Sequence, residues 1–65
     1  MLSEWELWAC ANRVLQSHGE HAAAHAAEQI EVLARAGDAD GVRAWRAIAR
    51  RITKLSGEDG PASLN

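Results

Sequence analysis

The stretch AAAHAAEQIEVLARAGDADGVRAWRAIARR, residues 22–51, decides the fold. It reads as an alanine-rich run, a Gly37-Asp38-Ala39-Asp40-Gly41 break, and a basic segment carrying Trp45. On both sides of the break apolar residues recur three and four positions apart, the spacing of an amphipathic helix. Ala23, Ala26, Ala27, Ile30, Leu33 and Ala34 form the apolar face of a helix expected over residues 20–36. Val42, Trp45, Ile48, Ala49, Ile52 and Leu55 form the stripe of another, expected over 40–55. Gly37 can end the first by entering the left-handed conformation. Asp38 or Asp40 can cap the second, and both carboxylates suit the positive end of a helix. Gly41, so close to that start, predicts a tight approach to a neighbouring helix.

Working back toward the N-terminus, Ser3 and Glu6 have the spacing of a capping box, with Leu2 and Leu7 as a hydrophobic staple around it. A first helix is therefore expected over residues 3–18, ended by Gly19 in the left-handed conformation. Leu7, Trp8, Ala11, Val14 and Leu15 share one of its faces, with Cys10 and His18 at the edges. Trp5 falls off this stripe, on a flank beside Ala9 and Asn12.

The expected class is all-α, a small three-helix bundle over residues 3–18, 20–36 and 40–55. Short connections favour antiparallel neighbours; the competing arrangement crosses the third helix steeply over the second. Residues 1–56 form the expected domain. Beyond Gly57, which stops the third helix, periodicity is lost and residues 57–65 read as a flexible tail.

Composition bounds what such a chain can do. Its 65 residues allow one small domain, and 48% apolar with 25% charged residues is an ordinary globular balance. Phe and Tyr are absent and three tryptophans supply the aromatic bulk. Alanine buries little area, so the core is thin and self-association is an economical way to add burial. Net charge is −2, with no overall pull toward nucleic acid or an anionic membrane. The single Cys10 excludes an internal disulfide and suits a reducing compartment. Neither a secretory signal nor an apolar run of membrane-spanning length is visible. A bacterial, cytoplasmic protein is expected.

Four groups of residues are candidates for function. His21 and His25 stand one helical turn apart, with Glu28 a turn further, a spacing that can hold zinc or nickel. Without thiolate ligands the simpler reading is solvent-facing residues, so no metal and no cofactor is expected. Arg43, Arg46, Arg50 and Lys54 form a basic stripe, and five of the seven Lys and Arg residues lie on this one helix. Such a helix after a short turn is the footprint of nucleic-acid recognition. The acidic remainder of the chain, and the shortage of amide and hydroxyl side chains to read base edges, argue against it. A solvated face, or docking to an acidic protein, accounts for it as well. Cys10 has no base beside it and reads as a small buried hydrophobe. Trp5 either lies over the end of the bundle or anchors an interface, with Leu2, Ala9 and Val32 as companions.

The segments Leu-Ser-Glu-Trp-Glu-Leu-Trp-Ala-Cys-Ala (2–11) and Ala-Gly-Asp-Ala-Asp-Gly-Val-Arg-Ala-Trp-Arg-Ala-Ile-Ala (36–49) resemble a family of very short alphaproteobacterial proteins classed as a domain of unknown function. The likeness covers about residues 2–55. It implies a free-standing bacterial helical protein and supplies no activity, ligand or site residue. Phosphate-binding loops, Ser-His-Asp order and cysteine pairs are absent from the sequence, so an enzyme is not expected. The expected function is a protein–protein interaction module, self-associating as a homodimer or binding another protein. The alternative is nucleic-acid binding through the basic face. No membrane and no small-molecule substrate are expected.

Overall fold

The computed structural model describes residues 2–57. Among these the chain is all-helical: α1 spans Glu4–His18, a 3-10 turn spans Gly19–His21, α2 spans Ala22–Arg35 and α3 spans Ala39–Ser56. From Glu4 to Arg35 one helical turn follows another with no loop between them, although Gly19 itself is not helical. The described chain is thus two continuous helical stretches, the first interrupted by a tight turn, and not the three separate rods expected. The difference lies at Gly19. Its φ of 55° and ψ of −128° fall outside the left-handed helical well. It closes α1 through its N–H to Leu15 O, but its own carbonyl then accepts from Ala22 N and winds the 3-10 turn. Helix α2 accordingly begins at Ala22 and not at Glu20. Of the expected tail, 57–65, all but Gly57 falls outside the described residues.

Local chemistry sets the other ends. Glu6 N–H donates to Ser3 Oγ at 3.2 Å and Ser3 N–H donates to Glu6 Oε1 at 2.8 Å, so the capping box is formed. At the far end of α2, Gly37 N–H reaches Ala34 O at 3.1 Å and Asp38 N–H reaches Leu33 O at 2.9 Å. With Gly37 at φ 77°, this is a Schellman ending, which satisfies carbonyls the helix leaves open. Asp38 serves twice, because its carboxylate also caps α3 by accepting from Gly41 N–H at 2.9 Å. One residue closes one helix and opens the next, which turns the chain back within three positions.

Helices α2 and α3 are antiparallel: Leu33 lies against Gly41, and His25 meets Trp45 further from the turn. Helix α3 is the element on which both others pack; α1 and α2 touch each other far less. The core is Ala11 from α1, Ala22 and Ala26 from α2, and Ile48 and Ile52 from α3. Leu7, Cys10, Val14, Leu15, Trp45 and Ala49 close around it, each half-buried.

The stripes read from sequence on α1 and α3 turn inward, except Leu55, which is 46% exposed one turn beyond Ile52. The α2 face needs correction. Ala26, Ile30 and Leu33 face inward, but Ala23, Ala27 and Ala34 are exposed, and Ala22 and half-buried His25 take their place. Residues 22–24 and 26–27 are all alanine, so hydrophobicity has no preferred direction there. The larger partners on α3 choose the face.

Candidate functional site

Three surfaces are left after the core is assembled. The first is a groove of about 490 Å³ between α1 and the α2–α3 hairpin. One wall is α1, with Cys10, Val14 and Arg13; the other is the hairpin, with Leu33, Ala44 and Trp45. Leu2 stands at its mouth, 37% exposed. Gly41 is part of the lining: a Cβ there would sit 2.8 Å from Asp38 Oδ2 and 3.1 Å from Leu33 Cδ1. The close approach expected at Gly41 is thus present, against Leu33 and its own helix cap. It lets α3 approach Leu33 of α2 closely.

The second surface is Trp5. At 76% exposed its ring stands mostly in solvent. Ala9, one turn on, is exposed beside it. The four residues grouped as interface candidates are not brought together. Leu2 joins the groove, Trp5 and Ala9 share a different side of α1, and Val32 is 54% exposed on α2 without lining the groove. From Trp5 to Val14 is nine residues, which at about 100° each places them on opposite sides of α1.

The third surface is the basic stripe. Arg43, Arg46, Arg50 and Lys54 are all exposed. Arg43 is tied to Asp40 at 2.7 Å; the other three make no ion pair among the described residues. Arg51, the fifth cation of this helix, lies off the stripe. Its side chain is only 15% exposed and lies across α1, with its guanidinium 3.2 Å from Glu4 Oε2, 2.9 Å from Ala47 O and 5.3 Å from the Trp8 ring centre. Trp8 Nε1 donates to the same Glu4 oxygen at 3.2 Å. The Arg51 Nε is buried without a hydrogen-bond partner among the described residues. The inward turn has a sequence signal, since Arg51 sits about 100° around the helix from Ile52 and so flanks the stripe.

The histidines regroup. His25 stacks on His18, with ring centres 3.9 Å apart and planes within 15°, and meets the Trp45 ring edge-on at 5.7 Å. His21 is exposed and approaches only Glu20, at 4.0 Å. The structure thus stacks His25 on His18, and His21, on the 3-10 turn between them, stays in solvent. Among the described residues no cluster of three or more His, Cys, Asp or Glu side chains could hold a metal ion. No helix among them is long and apolar enough to cross a membrane.

Compared with known proteins, residues 3–60 match the model of a family of unknown function, DUF6961. No curated protein and no solved structure matches the chain.

Proposed function

We propose that this chain, which belongs to the family of unknown function DUF6961, is a helical protein–protein interaction module that associates with a second copy of itself. One observation carries the reading. Among the described residues the fully buried side chains are three alanines and two isoleucines, while Trp5, Val32 and Leu55 stand out in solvent. A fully buried isoleucine contributes about 1.5–3 kcal/mol and each buried methylene about 0.8 kcal/mol. Ordering a residue costs about 1.5 kcal/mol. A core built mostly on alanine sits near balance, and covering exposed apolar surface with a second copy adds burial without adding chain.

In this reading the molecule binds and does not catalyse, and works in the reducing cytoplasm where a lone Cys10 stays free. Sedimentation equilibrium from micromolar to millimolar concentration tests it. The expected result is a mass that rises toward twice that of the chain, with the thermal midpoint rising alongside. A constant monomer mass across that range overturns the reading.

A second reading has its own observation: Arg46, Arg50 and Lys54 present three cations along one helix face without acidic partners among the described residues. Nucleic-acid binding through that face would weaken steeply as salt is raised, because each neutralised phosphate releases counterions. Absence of binding to duplex or single-stranded DNA at low salt removes it.

A further inference from the structure

We infer that the second copy lies along the outer face of α1, antiparallel to it, related to the first by a two-fold axis that crosses the helix beside Ala9. The inference rests on the self-association proposed above and adds which face meets which, and in what direction.

The fold fixes that face. Ala11 is fully buried. At about 100° per residue, Ala9 and Arg13 lie about 160° around the helix from it, with Trp5 and Glu6 on the two flanks. All four are exposed. Asn12 and Gln16, on the Trp5 flank, are exposed as well.

Charge selects the occupant. Glu6 and Arg13 stand two turns apart on one helix, so they share a flank at a separation of about 10.5 Å along the axis. Neither makes an ion pair among the described residues. Glu6 accepts Ser3 N–H on one carboxylate oxygen at 2.8 Å and keeps the other. Asp38 and Asp40 border the same hollow as Glu6, so that end of the face is acidic and the Arg13 end is basic. A partner helix that answers both must carry an acid and a base at the same spacing in the reverse direction, and α1 of a second copy does. An antiparallel pair centred between positions 9 and 10 sets Glu6 of each copy level with Arg13 of the other, twice over, in the self-complementary manner of a closed two-fold dimer. A parallel pair would set Glu6 against Glu6 and Arg13 against Arg13, which like-charge repulsion disfavours.

The same placement covers the exposed indole. Trp5 of each copy falls between Asn12 and Gln16 of the other, on the flank those residues share. Exposed ion pairs contribute little, so the two rings anchor the contact, as tryptophans do in interfaces, and the charges set its direction. Ala9, at the crossing point, carries only a methyl group, which lets the two helices approach closely.

Sedimentation mass followed against concentration tests this, for the parent chain and for variants at these exposed positions. Ala9→Glu brings two carboxylates together at the crossing, and association is expected to weaken at least about a hundredfold. Arg13→Glu sets like charges together at two places, and association is expected to weaken roughly tenfold, less so as salt rises. Adding Glu6→Gln to Arg13→Glu removes that repulsion and keeps a side chain suited to the capping box, so most of the loss is expected to be recovered. Circular dichroism checks that each variant keeps the helix content of the parent. A loss at Arg13→Glu that Glu6→Gln does not recover overturns the antiparallel direction. A parent that dimerises, with Ala9→Glu and Arg13→Glu dimerising equally well, overturns the α1 contact and leaves self-association standing. A parent that stays monomeric overturns both.

Discussion

Glu4 and Arg51, forty-seven positions apart in sequence, meet at 3.2 Å and fasten the first turn of α1 to the C-terminal half of α3. The two ends of this contact are unequal. Arg51 is largely covered and also reaches Ala47 O and the Trp8 ring, whereas Glu4 is 74% exposed. Losing Arg51 removes an ion pair, a charge-assisted hydrogen bond and a cation–π contact together. Arg51→Ala is therefore expected to lower stability by about 1.5–3 kcal/mol. Glu4→Ala should cost less than about 1 kcal/mol, because an exposed carboxylate gains little from a screened pair. Urea unfolding of the two single variants and the double variant measures both values and their coupling.

The turn between α2 and α3 holds two glycines that serve different purposes. Gly37 has open space around it but a φ of 77°, so Gly37→Ala is expected to cost about 1–2 kcal/mol through backbone strain alone. Gly41 is helical, where Ala normally gains up to about 1 kcal/mol over Gly. Its added Cβ would crowd the Asp38 carboxylate and Leu33, and displacing Asp38 forfeits a cap of about 1 kcal/mol. Gly41→Ala is expected to destabilise despite the helix-propensity gain. Thermal unfolding, with circular dichroism at the helix band, reads both.

Ala26 and Ala27 are neighbours in sequence with opposite surroundings, buried and exposed. Ala26→Leu forces three extra carbons against Ile48 and Ile52 and is expected to cost about 1–3 kcal/mol. Ala27→Leu should stay within about 0.5 kcal/mol of the parent. Equal effects at the two sites would mean α2 presents a different face to α3. Denaturant midpoints compared at equal slope decide this.

His25 lies between His18 and Trp45. Aromatic contacts of this kind contribute about 0.5–1.5 kcal/mol beyond burial, so His25→Ala is expected to lower stability by at least that much and to change Trp45 fluorescence. His21→Ala, at an exposed position on the 3-10 turn, is expected to leave both unchanged.

Trp5 and Val14 stand on opposite sides of α1, so the groove and the exposed indole can be tested apart. Trp5→Ala is expected to weaken the concentration-dependent rise in sedimentation mass while leaving the folding stability of the monomer within about 0.5 kcal/mol of the parent. An unaltered mass profile in that variant would take Trp5 out of the contact between copies.

Interactions that span a few residues were open to reading in one dimension. The Ser3–Glu6 capping box, the Gly37 ending, the cap by Asp38 and the close approach at Gly41 all follow from backbone groups that need local partners, and side chains of known reach supply them. The same holds for the inward stripes of α1 and α3, where large apolar residues mark a direction.

What only the tertiary structure decided is whatever depended on one helix choosing its angle to another. In the alanine run Ala22–Ala27 no side chain but His25 is large enough to set a direction, so Ile48 and Ile52 across the interface selected Ala22 and Ala26. Gly19, free to adopt backbone conformations closed to other residues, wound a 3-10 turn instead of a clean stop, and that brought His18 onto His25 and set His21 aside. Arg51, beside the basic stripe and not on it, turned inward because Glu4 and Trp8, far away in sequence, offered it charge and an aromatic face. The groove lined by Arg13 and Asp38 has no counterpart along the chain, since those residues line one surface only once α1 packs on the hairpin.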